Sequence, residues 1–260
     1  MRATAAVVLL AASLAVTMPC MYGQQTFVTR YDAYVGYAFL DSPHVSLSEN
    51  GVAFQIGFRP KTWYSVGFDY SYSSGDLTLT PNLLLPSLQQ QLTPLVTQIL
   101  TGNVLAGKIS PTAAAAYSLV VPAHSKTQTF AVGPQLAYRH WEHATLFLRP
   151  VFAGAIHENA TPMVPTDPVG SLVVPGVLQG FQALNLIPAS GHKTDTTWFL
   201  GFGGGFDILF SKHVGLRTQA DLVYDHLFSD LLKDGRFTVR FSIGPCFNFG
   251  KNIAGGASAK

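Results

Sequence analysis

One pattern limits this chain more than any other: large apolar side chains at every second position, recurring in eight separate segments. In 52–59 one face carries Val52, Phe54, Ile56 and Phe58, the other Ala53, Gln55, Gly57 and Arg59. In 63–73, Tyr64, Val66, Phe68, Tyr70 and Tyr72 alternate with Ser65, Gly67, Asp69, Ser71 and Ser73. Near the C-terminus Phe237, Val239, Phe241, Ile243, Pro245, Phe247 and Phe249 share one face, and Thr238, Arg240, Ser242, Gly244, Cys246 and Asn248 the other. A period of two is the signature of strands, whose successive side chains point to opposite faces. It predicts strands at about 30–40, 51–59, 63–74, 127–139, 144–157, 196–210, 214–226 and 236–249. These exceed the ~5–6 residues usual for soluble strands and suit the ~9–11 needed to cross a bilayer with tilt.

The links alternate in length. Pro60-Lys61-Thr62, His140–His143 and Ser211-Lys212-His213 are tight turns, whereas 41–50, 75–126, 158–195 and 227–235 are longer. Short turns at one end and long loops at the other are the plan of an all-β, eight-stranded antiparallel transmembrane up-and-down β-barrel. The competing architecture is a soluble barrel or sandwich, in which the apolar rows point inward. Eight segments with so many aromatic residues make more apolar surface than one small core absorbs, and facing lipid that surface costs nothing to expose. The composition agrees: 48% of residues are hydrophobic and 12% charged, which excludes a disordered chain. A net charge of +2 with no basic run gives no footprint for nucleic acid.

Aromatic residues gather at strand ends: Tyr31, Trp63, Tyr64, Tyr138, Trp141, Trp198, Phe210, Tyr224 and Phe249 are expected to form interfacial girdles. Pro134, Pro150 and Pro245 fall within strands on the outward face, where each lacks a ladder N–H and is expected to cause a bulge or bend. At the N-terminus, Arg2 precedes a short apolar stretch that ends at Pro19 and Gly23. This is the layout of a signal peptide over 1–23, too short to span a membrane as a helix. The barrel then occupies 24–250, and 251–260 forms a periplasmic tail. Cleavage after Gly23 leaves Cys246 as the mature chain's one cysteine.

The leader, the opening Tyr34-Val35-Gly36-Tyr37, the glycine–aromatic alternation and the closing strand Phe237–Phe249 together resemble the eight-stranded outer-membrane protein A-like superfamily. That group takes in the OmpA membrane domain, OmpX, OmpW and opacity-type surface proteins, and the likeness runs through the mature chain. It implies the outer membrane of a Gram-negative-type bacterium, contact with its lipid, and assembly by a machinery that reads a terminal aromatic residue. Here Phe249 is followed by Gly250 and a tail through Lys260.

Following the alternation inward places Arg59, Arg139, Arg149, Arg217 and Arg240 against Asp32, Asp69, Asp207, Asp221 and Asp225 in the lumen. A narrow interior cannot hold unpaired ions cheaply, so this balance points to a salt-bridge plug, with a gated ion path as the competing reading. Asp207–Arg217 and Asp221–Arg240 are the expected pairs. Many glycines on the lumen face either leave a thin water path or make room for arginines. The loops 75–126 and 158–195 exceed the ~12–15 residues beyond which structureless links are uncommon. Leu88, Leu92, Leu95, Val96 and Ile99 have helical spacing in the first, with Pro94 as a kink or early-turn residue. Leu178, Phe181 and Leu184 recur in the second. Ser118-Leu119-Val120-Val121-Pro122 returns as Ser171-Leu172-Val173-Val174-Pro175, through shared composition or because the two loops pack together as a cap. These apolar residues are the expected contact surface for lipid, a hydrophobic ligand or a surface partner.

No catalytic motif emerges. Gly201–Phe206 has the wrong spacing for a dinucleotide site, and His157-Glu158-Asn159, read as lumen-facing at His157, lacks a nucleophile. His140 and His143 lack further metal ligands, and no cofactor is indicated. The sequence therefore predicts a non-enzymatic surface or structural barrel with contact-making loops. An OmpW-like small pore or carrier for hydrophobic compounds is the alternative.

Overall fold

The computed structural model describes residues 25–254; the leader expected over 1–23 lies outside the described residues, as do 255–260 of the tail expected over 251–260, whereas Lys251 and Asn252 are ladder residues of the last strand. Eight strands run β1 (Thr29–Ser42), β2 (Leu47–Lys61), β3 (Tyr64–Leu79), β4 (Val121–Tyr138), β5 (Ala144–Pro162), β6 (Lys193–Leu209), β7 (Val214–Asp225) and β8 (Arg236–Asn252). Each pairs antiparallel with its sequence neighbours, and β8 closes on β1. No helix among the described residues is long and apolar enough to cross a membrane. The crossing is made by strands, whose closed ladder leaves no edge.

Register fixes the shape. The row of partners that starts at Ala33 runs through Ile56, Phe68, Val132, Ala153, Leu200 and Tyr224 to Phe237, whereas Ala33 itself pairs with Phe247. That stagger of 10 residues around eight strands corresponds to a strand tilt of roughly 40°. The outward face is apolar: Ile56 is 59% exposed and Phe68 50%, while Arg149 and Arg217 on the inward face are 1% and 0% exposed. The orientation read from the alternation is the one the fold adopts.

Two corrections concern the long-loop end. The strands continue past the expected limits, so that 47–50, 75–79, 121–126, 158–162 and 193–195, read as loop, are ladder residues. The first of the longer links shrinks to a 3-10 turn at Pro43–Val45. In this upper section the polarity inverts. Val45, Leu47, Leu77, Val121, Ala123, Ile156 and Phe199 are buried inside, whereas Ser74, Asp76, His124, Lys126, His157 and Asn159 stand on the outer wall. The barrel is built for lipid over one part of its height and for water above it.

The prolines behave differently from one another. Across β4 and β5 pairing stops at Val132–Ala153 and resumes one register later at Leu136–Leu148. On the other side of β5, Arg149 pairs with Gly203 and Phe152 with Gly201, so Pro150 and Val151 both stand against Phe202. This is the expected bulge, and it exchanges the two faces of β5. Beyond it Phe152, Ile156 and Glu158 point inward, and His157 faces out, contrary to the sequence reading. Pro245 causes no shift: it pairs with Leu216, and β8 keeps one register with β1 from Tyr34–Cys246 to Tyr37–Ile243.

Phe68→Arg, at mid-height on the lipid face, is expected to lower barrel stability by about 2–4 kcal/mol. Reversible denaturant unfolding from lipid vesicles measures this, and an unchanged midpoint would contradict the orientation.

Candidate functional site

The lumen is filled by three tiers of charge, beginning at the end with the tight turns. In the first tier Arg217 grips Asp207 with two hydrogen bonds, at 2.7 and 2.9 Å, and reaches Asp32 at 3.0 Å and Gln55 at 2.6 Å. Arg59 takes the other Asp32 oxygen at 3.3 Å. In the second tier Arg240 lies 2.7 Å from both Asp69 and Asp221, and Arg149 joins the same two carboxylates at 3.3 Å. The Arg149 guanidinium lies over the Phe152 ring, 4.1 Å from its centre. In the third tier Arg236 bridges Asp225 at 2.8 Å and Glu158, while Thr127 donates to Glu49 at 2.9 Å. Buried pairs of this kind offset their desolvation only through such multiple, well-aimed hydrogen bonds.

Both ion pairs expected from the sequence are present, and Asp32, Arg59, Asp69, Arg149, Asp221 and Asp225 stand in the network as read. Arg139 is lumen-directed, with no carboxylate partner among the described residues. Glu49, Glu158 and Arg236 are buried network members that the sequence reading missed. Glu49 and Arg236 were within reach, since each continues the inward row of its own strand two residues at a time. Glu158 was not, because the bulge at Pro150 reverses the alternation before it. The lumen glycines make room for this network. A Cβ on Gly57 would fall 2.2 Å from Asp32, one on Gly203 2.1 Å from Asp221, and one on Gly201 2.4 Å from the Phe152 ring.

Above the third tier the interior becomes apolar and merges with a cap. The first long loop forms helix α1 (Pro86–Leu105) and a short α2 (Pro111–Ala116), the second forms α3 (Gly170–Ala183). Pro94 sits within α1, not at its start. Helices α1 and α3 pack closely because α3 carries small residues at the contact: a Cβ on Gly176 would lie 2.8 Å from Ile99 and one on Gly180 2.6 Å from Leu95. The last long loop crosses the mouth and bonds the first, with Leu85 N–H donating to Leu231 O at 2.8 Å and Lys233 N–H to Leu83 O at 3.0 Å.

Leu88, Leu92, Leu119, Val121, Val173 and Val174 are buried in the core of this cap, with Val96, Ile99, Leu178 and Phe181 packed against it. Leu172 is half-buried and Val120 exposed. Most of the residues read as a contact surface therefore contact one another. The repeated Ser-Leu-Val-Val-Pro has no common structure, since one copy leads into β4 and the other lies in α3. The packed cap retains two small adjoining apolar cavities, each of about 40 Å³, which share Leu79, Pro162, Ile187 and Leu231. Glu158, Lys193 and Arg236 stand at the edge of the first.

The closed ladder, the apolar outer belt and the charged interior make the chain an eight-stranded antiparallel barrel of the membrane-crossing kind. No family model matches it, and no curated protein matches it. Among solved structures it is similar to Ail, the attachment invasion locus protein of Yersinia pestis, at 12% identity over 85% of this chain and 99% of that one, with a TM-score of 0.44. Neisserial surface protein A is similar at 10% identity over 87% and 99%, with a TM-score of 0.45. The outer membrane protein OprG from Pseudomonas aeruginosa is similar at 9% identity over 88% and 99%, with a TM-score of 0.40.

Arg240→Met removes the closest cation from both Asp69 and Asp221, leaving Arg149 at 3.3 Å as their one cation and Gln219 as a neutral donor to Asp221. A loss of about 3–5 kcal/mol is expected, as for breaking one side of a buried ion pair. A denaturant titration reads it, and a loss below 1 kcal/mol would mean the second tier is solvated.

Proposed function

We propose that this chain is a non-enzymatic, surface-exposed barrel of a Gram-negative-type outer membrane, exported by its leader and inserted by the barrel-assembly machinery. Its lumen is closed to ions, and its cap holds an apolar guest. The observation that carries the reading is the pairing of two features along one axis. Two small adjoining cavities with almost wholly apolar walls lie directly above a lumen blocked by tiers of ion pairs, and an apolar guest enters them by parting the cap helices. Helices that merely shielded the mouth would have no reason to leave this space unfilled, because close-packed interiors hold few voids larger than water. The long loops face outward in this orientation, and the girdles and apolar belt contact lipid.

The carrier reading, in which the guest moves on through the protein, has one observation in its favour. The β4–β5 ladder is interrupted over 133–135 and 149–152, a gap that holds Pro134 and Pro150. The ion-paired tiers favour holding over passage.

Two measurements test the proposal. Purified protein in planar bilayers is expected to show no conductance steps, and stable steps would refute the closed lumen. A solvatochromic alkyl-naphthalene probe is expected to bind with a blue shift. Ile187→Trp, which fills the space shared by the two cavities, should weaken that binding at least tenfold while preserving the heat-modifiable barrel. Equal binding by this variant would refute the cap site.

A further inference from the structure

The tiers are not equally balanced, and the imbalance leads to the opposite end of the molecule from the cap. The middle tier is neutral, with two arginines and two aspartates. The tier at the turn end has Arg59, Arg139 and Arg217 against Asp32 and Asp207. Both carboxylates are fully engaged: Asp207 gives its two oxygens to Arg217, and Asp32 gives one to Arg59 and one to Arg217. Arg139 has no carboxylate within salt-bridge distance among the described residues. Its Nε donates to Thr62 O at 2.8 Å, and its Nη1 donates to Gln25 Oε1 at 3.1 Å and Thr145 Oγ1 at 2.9 Å. These three neutral acceptors orient the guanidinium without neutralising it. Its Nη2 makes no bond to any described residue. Burial first, and then the neighbouring Arg59, pull Arg139 down to about 10, against the upward pull of Asp207 and Asp32.

Arg139 is not isolated. It lines a narrow crevice at the mouth, shared with Gln25, Arg59, Asp207, Lys212 and Asn248. The crevice joins a wide opening to solvent through Gln25, Val28 and Arg139. Lys212 also lacks a carboxylate among the described residues, and its ammonium lies over the Phe27 ring, 5.5 Å from its centre. Arg59, although 2% exposed, keeps its Nε without a hydrogen-bond partner. A buried guanidinium N–H left unpaired is costly, because charged groups lose most when desolvated without partners. Three cations thus converge on one crevice in which the carboxylates are already spent.

We infer that the turn-end mouth is a binding site for a small oxyanion, a phosphate or carboxylate group, received by Arg139, Lys212 and the free Arg59 Nε. Planar guanidinium groups match such anions with paired hydrogen bonds, and a low-dielectric mouth strengthens the attraction. Two sources offer this chemistry there: a soluble anion entering from the aqueous side, and the phosphate of an inner-leaflet lipid at the level of the Trp63 and Tyr138 girdle, which lines the same opening. The site lies at the open edge of the first tier and does not depend on the cap holding a guest.

The test uses the whole mature chain folded in a zwitterionic detergent. Inorganic phosphate is titrated at constant ionic strength against chloride, and thermal unfolding is followed by tryptophan fluorescence, with Trp63 beside the site. The expected result is a saturable rise of several degrees, as for any ligand that binds only the folded state. It should be lost in Arg139→Gln and reduced in Lys212→Gln, a surface-turn variant that leaves the tiers intact. A second arm compares nanodiscs of phosphatidylglycerol with phosphatidylcholine. A rise with free phosphate assigns a soluble anion, and a rise confined to the anionic lipid, again lost in Arg139→Gln, assigns the headgroup. No rise in either arm, or an equal rise in wild type and both variants, would overturn the site.

Discussion

Everything in this molecule depends on closing the backbone ladder. In hydrocarbon an unpaired N–H or C=O has no water to turn to, so a chain that crosses with strands must return its last strand to its first. Closure fixes the rest in order. Eight strands with a stagger of 10 residues leave a narrow interior, and a narrow interior must be filled by side chains. Because the lipid takes the apolar face, filling falls to the polar one. Arginines and aspartates can fill it only as pairs, and the glycines of the inward rows are the room those pairs need. The lumen network is a consequence of closure, not an addition to it.

The fold was legible because one property, alternation, repeats eight times and tolerates no other reading over such lengths. Asp207 with Arg217, and Asp221 with Arg240, could be paired from sequence because neighbouring antiparallel strands joined by a short link bring predictable positions together. Three things escaped. The strand ends at the long-loop side escaped because the apolar face there turns inward, so that the same period carries the opposite sign. Glu158 and His157 were exchanged because Pro150 and Val151 insert one extra residue, and a shift of one reverses both faces. The apolar loop residues were recognised as a group, but spacing alone cannot tell a surface that awaits a partner from a core that has found one.

The inversion of polarity along the barrel axis explains why the loops are long and apolar. A barrel that ended at the membrane surface would need only polar links. This one rises further, and its upper interior is lined by Leu47, Leu77, Val121, Ile156 and Phe199. Such a lining must be roofed, and helices α1 and α3 with the crossing segment around Leu231 form the roof. The lower part is a membrane protein with a polar inside, the upper part a water-exposed protein with an apolar inside. The third tier, where Arg236 joins Asp225 and Glu158, is the floor between them.

The gap in the β4–β5 ladder that holds Pro134 and Pro150 has a mechanical consequence. Every other seam of the barrel is stitched without a break of this length, whereas at mid-height β4 and β5 share no ladder pair and are held by the strands on either side of them. A pulling force on the wall would part it there first. The arginines that reach across the lumen, Arg149 and Arg240 to Asp69, tie β5 and β8 to β3 from within, so the weakest hem in the fabric is braced by struts instead of thread.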